Sequence, residues 1–233
     1  MGGRMQDWQR YAVFAVPEGR FYETGSAWLG WDSVAGEPRA QPALPGLPLP
    51  ASDLTKRPQK YGVHGTLKPP FRLAEGENMR ALRDAIAEIA GAAEPVDIAG
   101  LGVSAMGRFL ALVPARSEEA VSALSAQVVT GLEPFRAPLT APEMEKRRAD
   151  RLNPRAAALL AQYGYPYVLD QFRFHLTLTG PVPKAARGAV AACLSSHFAP
   201  VLPQPYRIAD LALMGQDRAG WFHLLDRFPL SAR

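Results

Sequence analysis

The feature that most constrains the fold of this 233-residue chain is a short pattern that occurs twice at a nearly constant distance. The segment HGTL at 64–67 returns as HLTL at 175–178, which is an offset of 111 residues from position 64 to position 175. DIAGL at 97–101 returns as RIADL at 207–211, an offset of 110 residues from position 97 to position 207. This period is far longer than that of solenoid repeats. It predicts an internal duplication and therefore two similar α+β lobes.

The two halves of the chain also predict the same order of elements from their hydrophobic periodicity. In the first half we predict a strand at 10–16, a helix at 23–31, a strand at 61–67, a helix at 77–90 and strands at 96–103 and 109–114. A helix at 117–132 and a basic helical connection at 143–164 follow, and then a strand at 172–179, a helix at 184–197 and strands at 206–214 and 221–226. The predicted architecture is one bilobal α+β domain, 1–233, with antiparallel sheets flanked by helices. The first lobe covers about 1–115 and the second about 116–233.

A proline-rich segment at 36–50 interrupts the first half. It carries prolines at 38, 42, 45, 48 and 50, which remove backbone donors and disfavour helix. We predict a long exposed loop here, which either covers a functional groove or is a passive insertion.

The composition, 48% hydrophobic and 21% charged, is that of a folded globular protein. The net charge of +4 suits a phosphorylated or polyanionic ligand but gives only weak support for one. Because Cys193 is the only cysteine, an internal disulfide is excluded and a Cys/His zinc site is disfavoured. We expect no export signal, lipid anchor or membrane span, and a cytoplasmic location.

Strand alternation gives the repeated motif a structural meaning, because residues i and i+2 share one face. The predicted polar faces are His64, Thr66 and Lys68 in the first segment and Arg173, His175, Thr177 and Thr179 in the second. A single histidine on a strand is usually structural, but two with threonine at i+2 indicate a shared task. Within each motif the Cα atoms of the histidine and of the threonine at i+2 lie about 6.5–7 Å apart, so the imidazole and the hydroxyl can both reach one phosphate. One histidine would accept a proton and the other would donate one, in either order.

The two His-x-Thr-x motifs resemble the signature of the 2H phosphoesterase superfamily. The wider segments YGVHGTLKPPF at 61–71, WLGWD at 28–32 and YGYPYVLDQFRFHLTLTG at 163–180 look like the branch often found with phosphonate-utilisation genes. The resemblance implies two pseudo-symmetric lobes with the site in a groove between them. It carries catalytic roles onto His64 and His175 and phosphate-binding roles onto Thr66 and Thr177. Val63 departs from the bulky residue that is common before the first motif histidine.

Three further residues are predicted to bind substrate. Lys68 and Arg173 lie on the predicted polar faces and could neutralise phosphate charge, although each could equally be solvated or ion-paired. Tyr61, with Lys60 beside it, precedes the first motif and could line the groove.

The sequence therefore predicts a metal-independent and cofactor-free phosphoesterase that hydrolyses a cyclic phosphodiester. The candidate substrates are a phosphoribosyl cyclic phosphate of phosphonate metabolism and an RNA-end 2′,3′-cyclic phosphate. The expected partner is a phosphorylated small molecule or nucleotide, with RNA also open and no membrane. A noncatalytic RNA- or nucleotide-binding module is the alternative. Neither a Walker sequence nor a Gly-x-Ser-x-Gly elbow is present.

Overall fold

The computed structural model describes residues 8–116, 119–147 and 152–232. Its strands are β1 (Arg10–Ala15), β2 (Trp31–Asp32), β3 (Glu37–Pro38), β4 (Gly65–Phe71), β5 (Val96–Ile98), β6 (Leu101–Met106), β7 (Phe109–Pro114), β8 (Leu176–Thr177), β9 (Tyr206–Ile208), β10 (Asp210–Gln216) and β11 (Phe222–Pro229). Its helices are α1 (Gly19–Leu29), α2 (Ala51–Thr55), α3 (Met79–Gly91), α4 (Glu119–Gly131), α5 (Ala141–Arg147), α6 (Pro154–Tyr163) and α7 (Lys184–Phe198). Part of the predicted connection at 143–164 lies outside the described residues.

A seven-stranded sheet with the order β11-β10-β1-β4-β8-β7-β6 organises the fold. All of its recorded strand pairs are antiparallel, and β2–β3 and β5–β9 form two further antiparallel ladders. The predicted α+β class with antiparallel sheets and flanking helices is confirmed.

The strands of the two halves are interleaved in this sheet. The β6–β7 hairpin of the first half lies beside β8 of the second, and the β10–β11 hairpin of the second half lies beside β1 of the first. Positions that are equivalent in the repeat pair with each other: Gly65 with Leu176, and Asp97 with Arg207. Pairing of equivalent positions is what a pseudo-two-fold axis through both ladders requires.

The sheet has one face packed on helices and one more open face. Alternate residues of β1 divide between them, because Val13 joins the large core while Phe14 joins a smaller cluster on the other side. Helix α3, in which Ala81 N donates to the Asn78 side chain at the N-cap, contributes Leu82 and Ile86 to the large core at helical spacing. Burial of each such side chain contributes about 1.5–3 kcal/mol to stability. None of the described helices is long and apolar enough to cross a membrane.

The two strands that carry the motifs begin later than their sequence patterns predict. Residues 59–61 form a 3₁₀ turn and β4 starts at Gly65, while the predicted strand at 172–179 contracts to Leu176–Thr177. In both segments the motif histidine bonds a backbone carbonyl two residues earlier, Gly62 O for His64 and Arg173 O for His175. A carbonyl that accepts from a side chain is less available to a neighbouring strand, which explains the late starts.

The proline-rich segment at 36–50 lies against the body of the protein and does not line the groove described below. Leu44, Leu47 and Leu49 pack on the large core, and the Cys193 Sγ of α7 lies 3.7 Å from Pro45 O. This placement favours a passive insertion over a loop that covers the functional groove.

Candidate active site

The β4–β8 pair brings the two motifs together at the centre of the sheet. Gly65 and Leu176 are direct partners in this antiparallel ladder. Extending the register by one residue in each direction sets His64 opposite Thr177 and Thr66 opposite His175, on one face. Although β8 is short, it is held in place: Trp28 Nε1 donates to Leu178 O at 2.8 Å and Leu178 N donates to Leu110 O at 3.0 Å.

The ring of His64 is fixed by hydrogen bonds at both nitrogens. Its Nδ1 lies 2.9 Å from Gly62 O and its Nε2 lies 3.1 Å from Thr66 Oγ1. Because a carbonyl oxygen can only accept, Nδ1 must carry the hydrogen. In the neutral ring, Nε2 is then an acceptor, and the Thr66 hydroxyl donates to it.

Aromatic side chains enclose the same ring. Phe14 stacks on His64 with ring centroids 3.7 Å apart, and Tyr61 lies nearly parallel to it at 6.0 Å. Burial, opposed by the hydrogen bond to the Gly62 carbonyl and assisted by the nearby His175, lowers the pKa of His64 to about 4. His64 is therefore neutral at pH 7 and presents a lone pair at Nε2.

His175 repeats this arrangement on the other strand. Its Nδ1 lies 2.7 Å from Arg173 O, which again places the hydrogen on Nδ1 and leaves Nε2 as the acceptor. The ring of Phe109 lies 5.8 Å away. Burial lowers the pKa of His175 and the bond to the Arg173 carbonyl opposes this shift. The site thus holds two imidazoles of one tautomer, each beside a threonine.

An open groove of about 930 Å³ covers this face. The predicted site residues that line it are His64, Thr66, Tyr61, Arg173, His175 and Thr177. Its arginines are Arg10, Arg57, Arg147 and Arg173, and its lining residues, as far as the chain is described, include no aspartate or glutamate. Such a surface attracts anions and binds phosphate oxygens through guanidinium groups.

Lys68 lies outside this groove, which corrects its predicted phosphate-binding role. Thr66 pairs with Phe14 and Lys68 pairs with the adjacent Val13, so two residues of β4 advance while β1 advances one. This bulge turns Lys68 to the helix-covered face. There its side chain is 2% exposed, and Nζ donates to Val129 O at 3.0 Å and contacts Glu133 at 3.4 Å.

Two other polar residues near the motifs have structural partners. Thr179 is buried, and its Oγ1 accepts from Leu110 N at 2.9 Å and donates to Gly180 O at 2.7 Å. Lys60 points away to a turn, where Nζ donates to Ala219 O at 2.7 Å.

The sequence analysis missed several residues of the groove. Phe14 and Arg10 were detectable, because they share one face of a predicted strand with Ala12. Arg57 carried no such signal, since it follows α2 in a turn and reaches the groove only through tertiary packing near Gly180. Within the described part of the chain, no three His, Cys, Asp or Glu side chains come together as metal ligands would.

Comparison with known proteins gives one family match. Residues 66–223 match the family described as "Protein of unknown function (DUF1045)". A protein of Janthinobacterium sp. (strain Marseille) named "Ribose 1,5-bisphosphate phosphokinase PhnN" is 35% identical over 218 residues, and one of the same name from Laribacter hongkongensis (strain HLHK9) is 32% identical over 213 residues. Each alignment covers 91% of this chain, and 48% and 49% of the two relatives. The chain therefore spans about half the length of the curated relatives it matches.

Solved structures also align along most of the chain at low identity. The E. coli LigT structure with 3′-AMP aligns with a TM-score of 0.44 and 14% identity over 97% of this chain and 100% of that chain. The TT0787 structure of Thermus thermophilus aligns with a TM-score of 0.46 and 15% identity over 96% of this chain and 99% of that chain.

Proposed function

The chain belongs to the DUF1045 family, its paired motifs resemble those of the 2H phosphoesterase superfamily, and from this premise we propose that it hydrolyses a cyclic phosphodiester with His64 and His175 as the acid–base pair. The observation that carries the proposal is the pairing of Gly65 with Leu176. It places both histidines, each with Nδ1 fixed by a carbonyl, on one face of the sheet. Two groove-facing imidazoles can serve one phosphoryl centre when the bound phosphate anion favours protonation of one of them.

The proposed step consumes one water molecule. The water oxygen forms a bond to phosphorus and its proton passes to one imidazole Nε2. The bond from phosphorus to one oxygen of the cyclic ester breaks, and that oxygen takes a proton from the other imidazole. The product is a phosphate monoester, and solvent restores the starting protonation of both rings.

We assign the base role to His64 and the acid role to His175. His64 is enclosed by Phe14 and Tyr61, so its charged form is the more strongly disfavoured and it rests with a free lone pair. When substrate binds, the Thr66 hydroxyl turns from His64 Nε2 to a non-bridging oxygen. Thr177 holds the opposite oxygen, and the nearby arginines stabilise the charge that develops.

For the substrate we propose a phosphoribosyl cyclic phosphate. The relatives are named for a ribose 1,5-bisphosphate kinase, yet this chain matches about half of their length and has no Walker sequence. We infer that the kinase activity in those names belongs to the part of the relatives that this chain does not match. A phosphoribosyl substrate would suit the half that this chain matches, because in the relatives that half is joined to the remaining half.

A substrate panel tests the proposal directly. Wild type, His64→Ala and His175→Ala are assayed on a phosphoribosyl cyclic phosphate and on ribonucleoside 2′,3′-cyclic phosphates, with and without chelator, and His197→Ala serves as a histidine control outside the groove. We expect turnover that either motif substitution lowers by about 10²–10⁴-fold and that chelator leaves unchanged. Tight binding of nucleotide or RNA without any turnover would instead indicate the noncatalytic module. Thermal unfolding of each variant checks that the fold is retained.

A further inference from the structure

We infer that Arg10 and Arg147 form a second anion-binding subsite, distal to the histidines, which recognises a second phosphoryl group on the same substrate. This inference rests on the proposed function and specifies its substrate class. It names two residues that select a doubly phosphorylated molecule over a singly phosphorylated one.

The charge of the groove exceeds what one phosphate requires. Four arginines line it and none of its described lining residues is acidic. Arg173 lies two residues before His175, and Arg57 packs near Gly180, just beyond the second motif. In this proposal Arg173 and Arg57 serve the phosphoryl group at the histidines, and Arg10 and Arg147 serve the second one.

The backbone fixes how far along they lie. Arg10 and Phe14 share one face of β1, four residues apart, and Phe14 stacks on His64. At about 3.3 Å per residue, their Cα atoms are separated by roughly 13 Å. Arg10 also lines a small adjoining hollow together with Pro69, Pro70 and Arg147, which places Arg147 at the same end. A sugar with phosphates at both ends would reach from the histidines towards this pair.

The Arg10 side chain is held for binding. Its Nε donates to Gln216 Oε1 at 2.6 Å, and the Gln216 Nε2 donates to Gly220 O at 3.1 Å. Gln216 is itself 9% exposed, so the guanidinium is oriented by a buried partner. No described residue is recorded as bonding its two terminal nitrogens, which are the pair that binds a phosphate in fork geometry.

Arg147 is positioned by a different element. It ends α5 and its guanidinium carbon lies 4.8 Å from the ring centroid of Tyr165. Glu143 on the same helix lines the same hollow, but its ion pair is with Arg72, whose guanidinium lies 3.1 Å from Glu143 Oε2, and Thr140 N donates to the same oxygen at 2.8 Å. The pair is thus available to an anion from outside the chain.

Binding is measured by calorimetry with two probes, ribose 1,5-bisphosphate and ribose 1-phosphate, the second of which lacks the phosphoryl group assigned to the distal subsite. We expect wild type to prefer the bisphosphate by about ten- to a hundredfold in Kd. Arg10→Ala and Arg147→Ala should each lose most of this preference, while Arg80→Ala, an exposed arginine of α3 outside the groove, should keep it. Arg57→Ala should weaken both probes about equally. Thermal unfolding verifies that each variant is folded. Arg10→Lys keeps the positive charge but removes the guanidinium group, so it separates the effect of charge from that of fork geometry.

The proposed hydrolysis and the proposed subsite can fail separately. His64→Ala and His175→Ala should retain the preference for the bisphosphate, because neither residue belongs to the distal pair. Selective binding of the bisphosphate without turnover of any cyclic phosphate would refute the hydrolysis and leave the subsite intact. Equal affinity of wild type for the two probes, or a preference that survives in both folded arginine variants, would overturn the subsite.

Discussion

Gly65 and Leu176 are paired across β4 and β8, and they occupy the same position in the two motifs. The two proposed catalytic histidines therefore lie close together because the two copies of the repeat pair at equivalent positions. The two partners nevertheless differ, because the Leu176 side chain is buried in the core while a β-carbon on Gly65 would collide with the ring of Phe174. The sheet places the histidines symmetrically, and the packing around them is not symmetric.

Removal of the Phe14 ring should raise the pKa of His64. Phe14→Ala exposes one face of the imidazole, and burial is the main cause that lowers its pKa to about 4. We expect the pKa to move up toward the ordinary value of about 6.5, so that the base is lost to protonation at a higher pH. Two-dimensional NMR titration of the histidine signals measures this shift. Phe109→Ala is the matched control, because Phe109 lies beside His175 and its loss should leave His64 unchanged.

Threonine-to-valine substitutions at Thr66 and at Thr179 should separate an effect on function from an effect on stability. Thr66→Val keeps the shape but removes the hydroxyl at His64 Nε2, so we expect kcat to fall about ten- to a hundredfold with little change in Tm. Thr179→Val removes a buried hydroxyl that bonds Leu110 N and Gly180 O, and should cost about 1–3 kcal/mol of stability.

Steady-state kinetics and thermal unfolding of both variants give the comparison. An unchanged kcat in Thr66→Val, with Thr66→Ser as the variant that restores the hydroxyl, would contradict the role of Thr66 in the chemistry.

The repeat made much of the fold predictable, since an offset near 110 residues and strand alternation are both visible in sequence. They gave the α+β class and placed both histidines and both threonines on the groove face. Lys68 was misplaced because a bulge in β4 breaks the alternation, and single-sequence periodicity carries no signal for it. Arg57 was missed because its position depends on packing between segments remote in sequence. Local pattern predicts faces, whereas tertiary contacts decide which side chains reach the site.

The burial of Lys68 should make stability depend on pH. Burial lowers its pKa from 10.5 to about 8, so between these values the unfolded chain binds more protons than the folded one. Folding then carries a penalty that is fully present below about pH 8 and is relieved as the pH rises to about 10.5, by up to roughly 3 kcal/mol. Lys68→Met should remove this rise and leave turnover unchanged.

Urea unfolding of wild type and Lys68→Met at several pH values from 7 to 10.5 isolates the effect as a difference between the two proteins. The Glu133 carboxylate stays paired with Arg136 in the variant, so it is not left as an isolated buried charge. If the free energies of unfolding of the two proteins change in parallel with pH, Lys68 does not titrate in this range. A loss of turnover in Lys68→Met would indicate that Lys68 does contribute to the site.

Gly65→Ala should disturb the site through the core. The added methyl group meets the Phe174 ring, which occupies the space that a side chain at position 65 would need. We therefore expect a loss of about 1–3 kcal/mol in the free energy of unfolding. Because Gly65 is the partner of Leu176, the shift should also separate the two histidines and lower kcat. Phe174→Leu in the same chain frees the space and should restore part of both losses, which a double-mutant cycle of unfolding and kinetics measures. Additive effects of the two substitutions would mean that the Phe174 ring does not set the spacing of the motifs.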